Sequence, residues 1–320
     1  MMKDLDPKPA PPSEPVSRPV LPAQKQDGGR TIAAVARTAW QGIKAAGCAA
    51  LRNGNANIRK SAELLRVRAK RPSAIPTLPN IGHRLQDTLA YGMLAMGLSA
   101  ILLDIGSYAW INGLPRSYYV FFWTVTDFGK AHWSLVPTGL IGLLILALDW
   151  DRLSVSARQA IHVLFLQVAY IFTVVVASGL VAVALKWVLG RARPKLSPEH
   201  GPTHFDLFAL DSDYTSFPSG HATTVGAVAV CLALLIPSWT RMIFVLSFWL
   251  SLSRIMVSAH YPSDVIGGTL FGAAFAWYTA RFLASRRLLF RCDANDRIRK
   301  RYSTWRFFGK ALRKITPHWK

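Results

Sequence analysis

The chain has 320 residues, of which 51% are hydrophobic and only 17% charged, and its mean hydropathy is +0.24. That balance excludes an ordinary soluble domain and describes a polytopic membrane protein. The net charge of +21 comes from 38 basic against 17 acidic residues and sits mostly toward the two termini. Apolar runs long enough to cross a bilayer point this charge at an anionic lipid surface, not at nucleic acid.

Residues 1–30 hold seven prolines among charged and polar residues, so they cannot bury enough surface to offset ordering entropy and are expected to be disordered. No cleavable signal peptide is visible there. Residues 31–86 form a basic amphipathic juxtamembrane region. Ile32, Val35, Trp40, Ile43 and Leu51 recur at helical spacing among Arg37, Lys44, Arg52, Arg59 and Lys60. One or two helices lying on a membrane face are expected, interrupted near Asn53-Gly54-Asn55.

Six apolar segments follow within residues 87–285, at about 88–110, 133–149, 160–185, 221–236, 240–258 and 264–284. Each is near the length that a tilted helix needs to cross the hydrocarbon. The fold class is therefore all-α, a six-helix membrane bundle, followed by a basic tail at 286–320. Arg and Lys cluster before the first segment and after the last, which places both tails in the cytoplasm. Parity then puts the turn after the third segment, the entry to the fourth and the turn between the fifth and sixth on the opposite face.

Polar clusters fall at these three places. Lys186 closes the third segment, and Arg193 stands before Pro194, which disfavours helix at Arg193. Pro218-Ser219-Gly220-His221 offers a hydroxyl, an amide that no side chain shields, and an imidazole at a helix start, where anions are favoured. Arg254 lies in an otherwise apolar helix and needs a partner or a water-lined cavity. His260 and Asp264 follow. A carboxylate near an imidazole can fix its tautomer and leave the other ring nitrogen free to attack. Tyr261-Pro262 makes the backbone between them a turn.

Each residue taken singly has an ordinary explanation. Lys186 can snorkel, and Ser219 can simply cap a helix. The combination is specific: Lys, six residues, Arg-Pro; then Pro-Ser-Gly-His; then Ser-Arg, five residues, His, three residues, Asp. This resembles the tripartite signature of the type-2 phosphatidic acid phosphatase superfamily, with every position filled by Lys186, Arg193, Pro194, Pro218, Ser219, Gly220, His221, Ser253, Arg254, His260 and Asp264.

The resemblance implies an integral-membrane phosphatase acting on a lipid phosphate. His260 would be the nucleophile that forms a phosphohistidine, and Asp264 would orient it. His221 would be general acid and then base, with Lys186, Arg193, Ser219, Gly220 and Arg254 holding the phosphoryl oxygens. No metal or other cofactor is implied. The location would be a bacterial inner membrane, with cytoplasmic termini and a periplasm-facing site. Phosphatidic acid, phosphatidylglycerophosphate, the phosphates of lipid A and undecaprenyl pyrophosphate all fit. A lipid phosphotransferase would use the same residues. A vanadate-binding haloperoxidase is disfavoured by the apolar segments, and a non-catalytic membrane scaffold by the intact histidines.

Cys48, Cys231 and Cys292 have neither disulfide nor metal-ligand spacing. His83, His132, His162, His200, His204 and His318 are scattered and carry no assigned role. The loop at 195–217 holds His200 and His204 and is the expected place for substrate selection.

Overall fold

The structure is a computed structural model that describes residues 27–73, 75 and 84–302. Most of the predicted disordered tail (1–26), the end of the basic tail (303–320), His83 and His318 lie outside the described residues. The chain divides into two units, residues 1–48 and 49–320. Helix α1 runs from Asp27 to Ala69. In the first unit its Val35, Trp40 and Ile43 are exposed, with Lys44 Nζ lying 5.3 Å over the Trp40 ring.

Within the second unit, the expected break at Asn53-Gly54-Asn55 does not occur, and the helix is continuous there. The asparagine amides are not used to turn the chain. They point outward to carbonyls at the end of helix α5 (His132–Ala147): Asn53 donates to Ala147 O at 3.1 Å, and Asn57 to Leu146 O at 3.0 Å and Leu148 O at 2.8 Å. These are carbonyls that a helix end leaves without partners.

The membrane region opens with α2 (Leu85–Ser99), a π-helical turn at Ala100–Asp104 and α3 (Ile105–Asn112), one uninterrupted rod. After it come α4 (Arg116–Asp127), α5 (His132–Ala147) and α6 (Val155–Leu189). Helix α4 was not anticipated, because its run of aromatic and β-branched residues has the composition of a strand. Ser154 caps α6, its Oγ accepting from Ala157 N at 3.3 Å, and Gly190 ends it with a left-handed φ of 58°. The short α7 (Ser197–His200) lies in the following loop. The last helices are α8 (Gly220–Leu235), α9 (Thr240–Met256) and α10 (Pro262–Ser285).

Among the described residues, three helical stretches are long and apolar enough to cross a membrane: Leu85–Asn112, Arg116–Ala147 and Val155–Leu189. Helix α8 is apolar but has only 16 residues. It packs on α10 with almost no side chain between them. A β-carbon at Gly272 would collide with the Thr223 carbonyl, and one at Gly226 with that of Thr269. Small residues are what allow such backbone approach where lipid supplies no hydrophobic drive. Around this crossing lies the core: Tyr170, Val174 and Val175 of α6, Ala227 and Cys231 of α8, and Ala276 and Ala280 of α10. Tyr170 Oη donates to Ala276 O at 2.8 Å, satisfying its polar end.

The class is helical with one addition. Beyond α10, strands β1 (Phe290–Cys292) and β2 (Ile298–Lys300) pair antiparallel as a short hairpin. Leu289 and Phe290 are fully buried beneath the core, and Lys300 Nζ caps α8 by donating to Leu235 O at 3.0 Å.

Candidate active site

The three polar clusters meet where α6, α8, α9 and α10 begin or end. Lys186 stands in the last turn of α6, and its Nζ donates to Thr215 O at 3.0 Å. Past Gly190 the chain folds back on itself. Asp206 N donates to Gly190 O at 2.8 Å, Arg193 N to Asp213 O at 2.8 Å and Ser216 N to Arg191 O at 3.0 Å. This lacing fixes the loop between the first two clusters. Arg193 then reaches the same residue as Lys186, with Nη2 3.1 Å from Thr215 Oγ1 and Nε 2.9 Å from Ser212 O.

Ser219 is the N-cap of α8 and is fully buried. Its Oγ accepts from Ala222 N at 3.5 Å, and its backbone N donates to Asp264 O at 3.1 Å, joining the second cluster to the third. Gly220 opens the helix against Lys186, whose Cε would lie 3.7 Å from a β-carbon there. His221 sits in the first turn of α8 beside Gly129. Its Nε2 is buried without a hydrogen-bond partner. The charges of Arg254, Lys186 and the Lys130–Asp127 pair all act on it.

Arg254, in the last turn of α9, donates from Nη1 to Thr126 Oγ1 at 2.9 Å, while its Nε has no partner. Ser253 turns into its own helix, its Oγ donating to Leu250 O at 2.6 Å. His260 lies between α9 and α10 and is almost fully buried. Its Nδ1 has no hydrogen-bond partner and is 3.9 Å from Asp264 Oδ2. Burial first, then the charges of Lys186, Arg254 and Arg193, hold this imidazole well below its ordinary value, so it is neutral near pH 7.

Of the predicted site residues, Lys186, Arg193 and Arg254 lie near enough to act electrostatically on His260, and Arg254 and Lys186 on His221. Asp264 is fully buried and its oxygens are already engaged. Oδ1 accepts from Arg191 Nη1 at 2.5 Å, and Oδ2 accepts from Ser216 Oγ at 2.6 Å and Tyr261 N at 2.9 Å. It stands close to His260 but beyond hydrogen-bond length.

Four residues that the sequence reading did not single out complete the surroundings: Asp104, Arg191, Ser216 and Thr126. Asp104 carried a usable signal, since a carboxylate inside an apolar segment is costly unless partnered. The others carried none.

Among the described residues, Lys186, Arg193 and Arg254 make no ion pair with any carboxylate; their bonds go to carbonyls and hydroxyls. Three half-buried cations that form no ion pair, beside orphaned nitrogens on His221, Arg254 and His260, make an arrangement that can accommodate an anion. No group of three or more His, Cys, Asp or Glu among the described residues is placed to hold a metal ion. His200 and His204 stack on each other with ring centroids 4.5 Å apart, in the loop where selection was expected.

The PAP2 superfamily model matches residues 167–288. A protein named lipid A 1-phosphatase from Rhizobium johnstonii is 42% identical over 170 residues, covering 52% of this chain and 68% of that protein. Its namesake from Rhizobium etli is 39% identical over 194 residues, 61% of this chain and 74% of that one. An undecaprenyl-diphosphatase from Sulfolobus acidocaldarius is 35% identical over 119 residues, 36% of this chain and 56% of that protein.

Proposed function

The chain belongs to the PAP2 superfamily, and from that premise we propose that this membrane lipid phosphatase, a phosphoric ester hydrolase, works through a phosphohistidine on His260. The observation that carries the reading is the group of three cations, Lys186, Arg193 and Arg254, with no carboxylate partner of their own beside a buried neutral imidazole. A phosphoryl group supplies the missing negative charge.

In this reading His260 attacks phosphorus with the ring nitrogen turned away from Asp264. The N–P bond forms as the P–O bond to the lipid breaks. His221 protonates the departing oxygen, then takes a proton from the water that hydrolyses the phosphohistidine. Lys186, Arg193, Arg254, the Ser219 hydroxyl and the Gly220 amide hold the equatorial oxygens as charge redistributes. These cations supply the charge stabilisation that a metal ion provides elsewhere, so the reaction requires none.

The substrate proposed first is a lipid A phosphate, on the two relatives of that name; undecaprenyl diphosphate is the alternative. An apolar groove of about 590 Å³ begins at Phe217 and Pro218, immediately before Ser219, and runs between α2 and α10 past Met96, Leu270 and Phe271. It would seat the hydrocarbon of any such lipid. The proposed topology keeps six spans, with α9 and α10 as the last two. Both tails would be cytoplasmic and the site would face the periplasm, in a bacterial inner membrane. The phosphatase domain would then be 87–285, flanked by the juxtamembrane region 31–86 and the basic tail 286–320, which hold anionic lipid.

The test is inorganic phosphate release by the detergent-purified protein from lipid A, phosphatidic acid and undecaprenyl diphosphate, in chelator, with His260→Ala beside it. Chelator-resistant release from one lipid that falls on the order of 10⁴-fold or more in the variant is the expected result. Substantial turnover by His260→Ala would remove the phosphohistidine. Transfer to an added lipid acceptor without free phosphate would replace hydrolase by phosphotransferase.

A further inference from the structure

Asp104 lies in the middle of the first long apolar rod, outside all three clusters, yet only 1% of its surface is exposed. Its neighbours Ile101, Leu102 and Leu103 are exposed to 69%, 72% and 52%. The π-helical turn Ala100–Asp104 sets this rotation, and such turns recur where a helix must aim one functional side chain. The carboxylate is spent on α10 and on the loop after α6. Oδ1 accepts from Ser263 N at 3.0 Å, and Oδ2 from Ser263 Oγ at 2.5 Å and from Arg191 Nη2 at 2.8 Å.

Arg191 is held as firmly. Nη1 donates to Asp264 Oδ1 at 2.5 Å and to Ser263 Oγ at 2.7 Å, Nη2 and Nε donate to Pro202 O at 2.7 and 3.1 Å, and the plane lies 4.7 Å from the Tyr261 ring centroid. A planar guanidinium so tied has no freedom to reorient. One cation therefore bridges two buried carboxylates, from the first membrane rod and from the first turn of α10. The second carboxylate stands 3.9 Å from the unpartnered Nδ1 of His260.

We propose that Asp104 is a positioning residue for the hydrolysis: it fixes Arg191, Arg191 fixes Asp264, and Asp264 sets the orientation and basicity of His260. The first membrane rod thereby becomes part of the active site, although no signature residue lies on it. This inference rests on His260 being the attacking group.

Asp104→Asn keeps the shape and removes the charge. With detergent-solubilised lipid A as substrate, kcat should fall roughly 10- to 100-fold, as a displacement near the chemistry costs, while KM stays within about twofold. The acid limb of the kcat profile should move. Ser263→Ala, which deletes only the hydroxyl shared by Asp104 and Arg191, should lower kcat several-fold with the same split. The double variant of Asp104→Asn with Arg191→Lys should be little worse than the worse single one, since the two act as a unit. Asp296→Asn, in a buried pair remote from His260, should lower thermal stability and leave kcat alone.

If both Asp104→Asn and Ser263→Ala lose stability while keeping wild-type kcat and pH profile, the proposal fails and the network is structural only. Should Asp104→Asn not fold, Ser263→Ala decides alone. Wild-type protein that releases phosphate through His260 while these variants are unaffected overturns this inference but not the phosphatase reading. Wild-type protein releasing no phosphate from any lipid overturns both.

Discussion

The two ends of α10 are each fastened by a buried arginine–aspartate pair, and the pairs do opposite things. At the first turn the carboxylate is on the helix and the cation off it, Asp264 with Arg191; at the last turns the cation is on the helix and the carboxylate off it, Arg281 with Asp296. Both arrangements agree with the helix dipole, which favours negative charge at the N-terminus and positive at the C-terminus. At the far end the pair ties the helix to the β1–β2 hairpin over Leu289 and Phe290. At the near end it stands against His260, with unpartnered nitrogens on three site residues. The same interaction closes a structure at one end. At the other it supports the site proposed to bind phosphate.

Arg254→Lys sharpens the contrast most. Lysine keeps the charge but loses the fork that reaches both Thr126 and a phosphoryl oxygen. A drop in kcat on the order of 10²-fold with unchanged melting is expected from phosphate-release kinetics and thermal denaturation in detergent. Wild-type kinetics would take Arg254 out of the site.

At the far end, Asp296→Asn removes the carboxylate charge paired with the buried Arg281. It should cost about 3 kcal/mol of stability, read from denaturation in detergent, with kcat unaltered. A catalytic defect there would break the division between the two ends.

The smallest expected effect is in pH dependence. Burial and neighbouring cations depress the His260 imidazole, so the folded protein binds this proton less readily than the unfolded chain does. Its contribution to stability is present above the ordinary histidine value and declines as pH falls through and below it. Attack needs the neutral ring, so the acid limb of phosphoenzyme formation should lie below about 6.5. A limb at or above that value, retained when the substrate's own ionisation is accounted for, would contradict the environment described for His260.

Much of this molecule was legible before its structure. The apolar segments at 221–236 and 264–284 became α8 and α10 with ends displaced by no more than two residues, because a continuous apolar run bounded by Pro-Ser-Gly or Tyr-Pro has few alternatives. The expected break at Asn53-Gly54-Asn55 failed because the distant carbonyls of α5 took the amides that would have made a turn. Helix α4 lies between the apolar segments read from the sequence, and its Phe122 packs against Met256 and Val257.

By itself, the sequence determined that the chain is a membrane helical protein. It also carried the proposal that Lys186, Arg193, His221, Arg254 and His260 serve one chemistry, because the types and spacings that suit binding and breaking a phosphate ester are local and rare in combination. Only the tertiary structure decided which arginine is taken up in ion pairs. Arg191 and Arg193 are two residues apart and alike in kind, yet one is consumed by Asp104 and Asp264 and the other gives its side-chain hydrogen bonds to neutral oxygens of Ser212 and Thr215. That distinction depends on a carboxylate 87 positions earlier in the chain. Electrostatic partnership falls off with distance through space, and no spacing along the sequence records it.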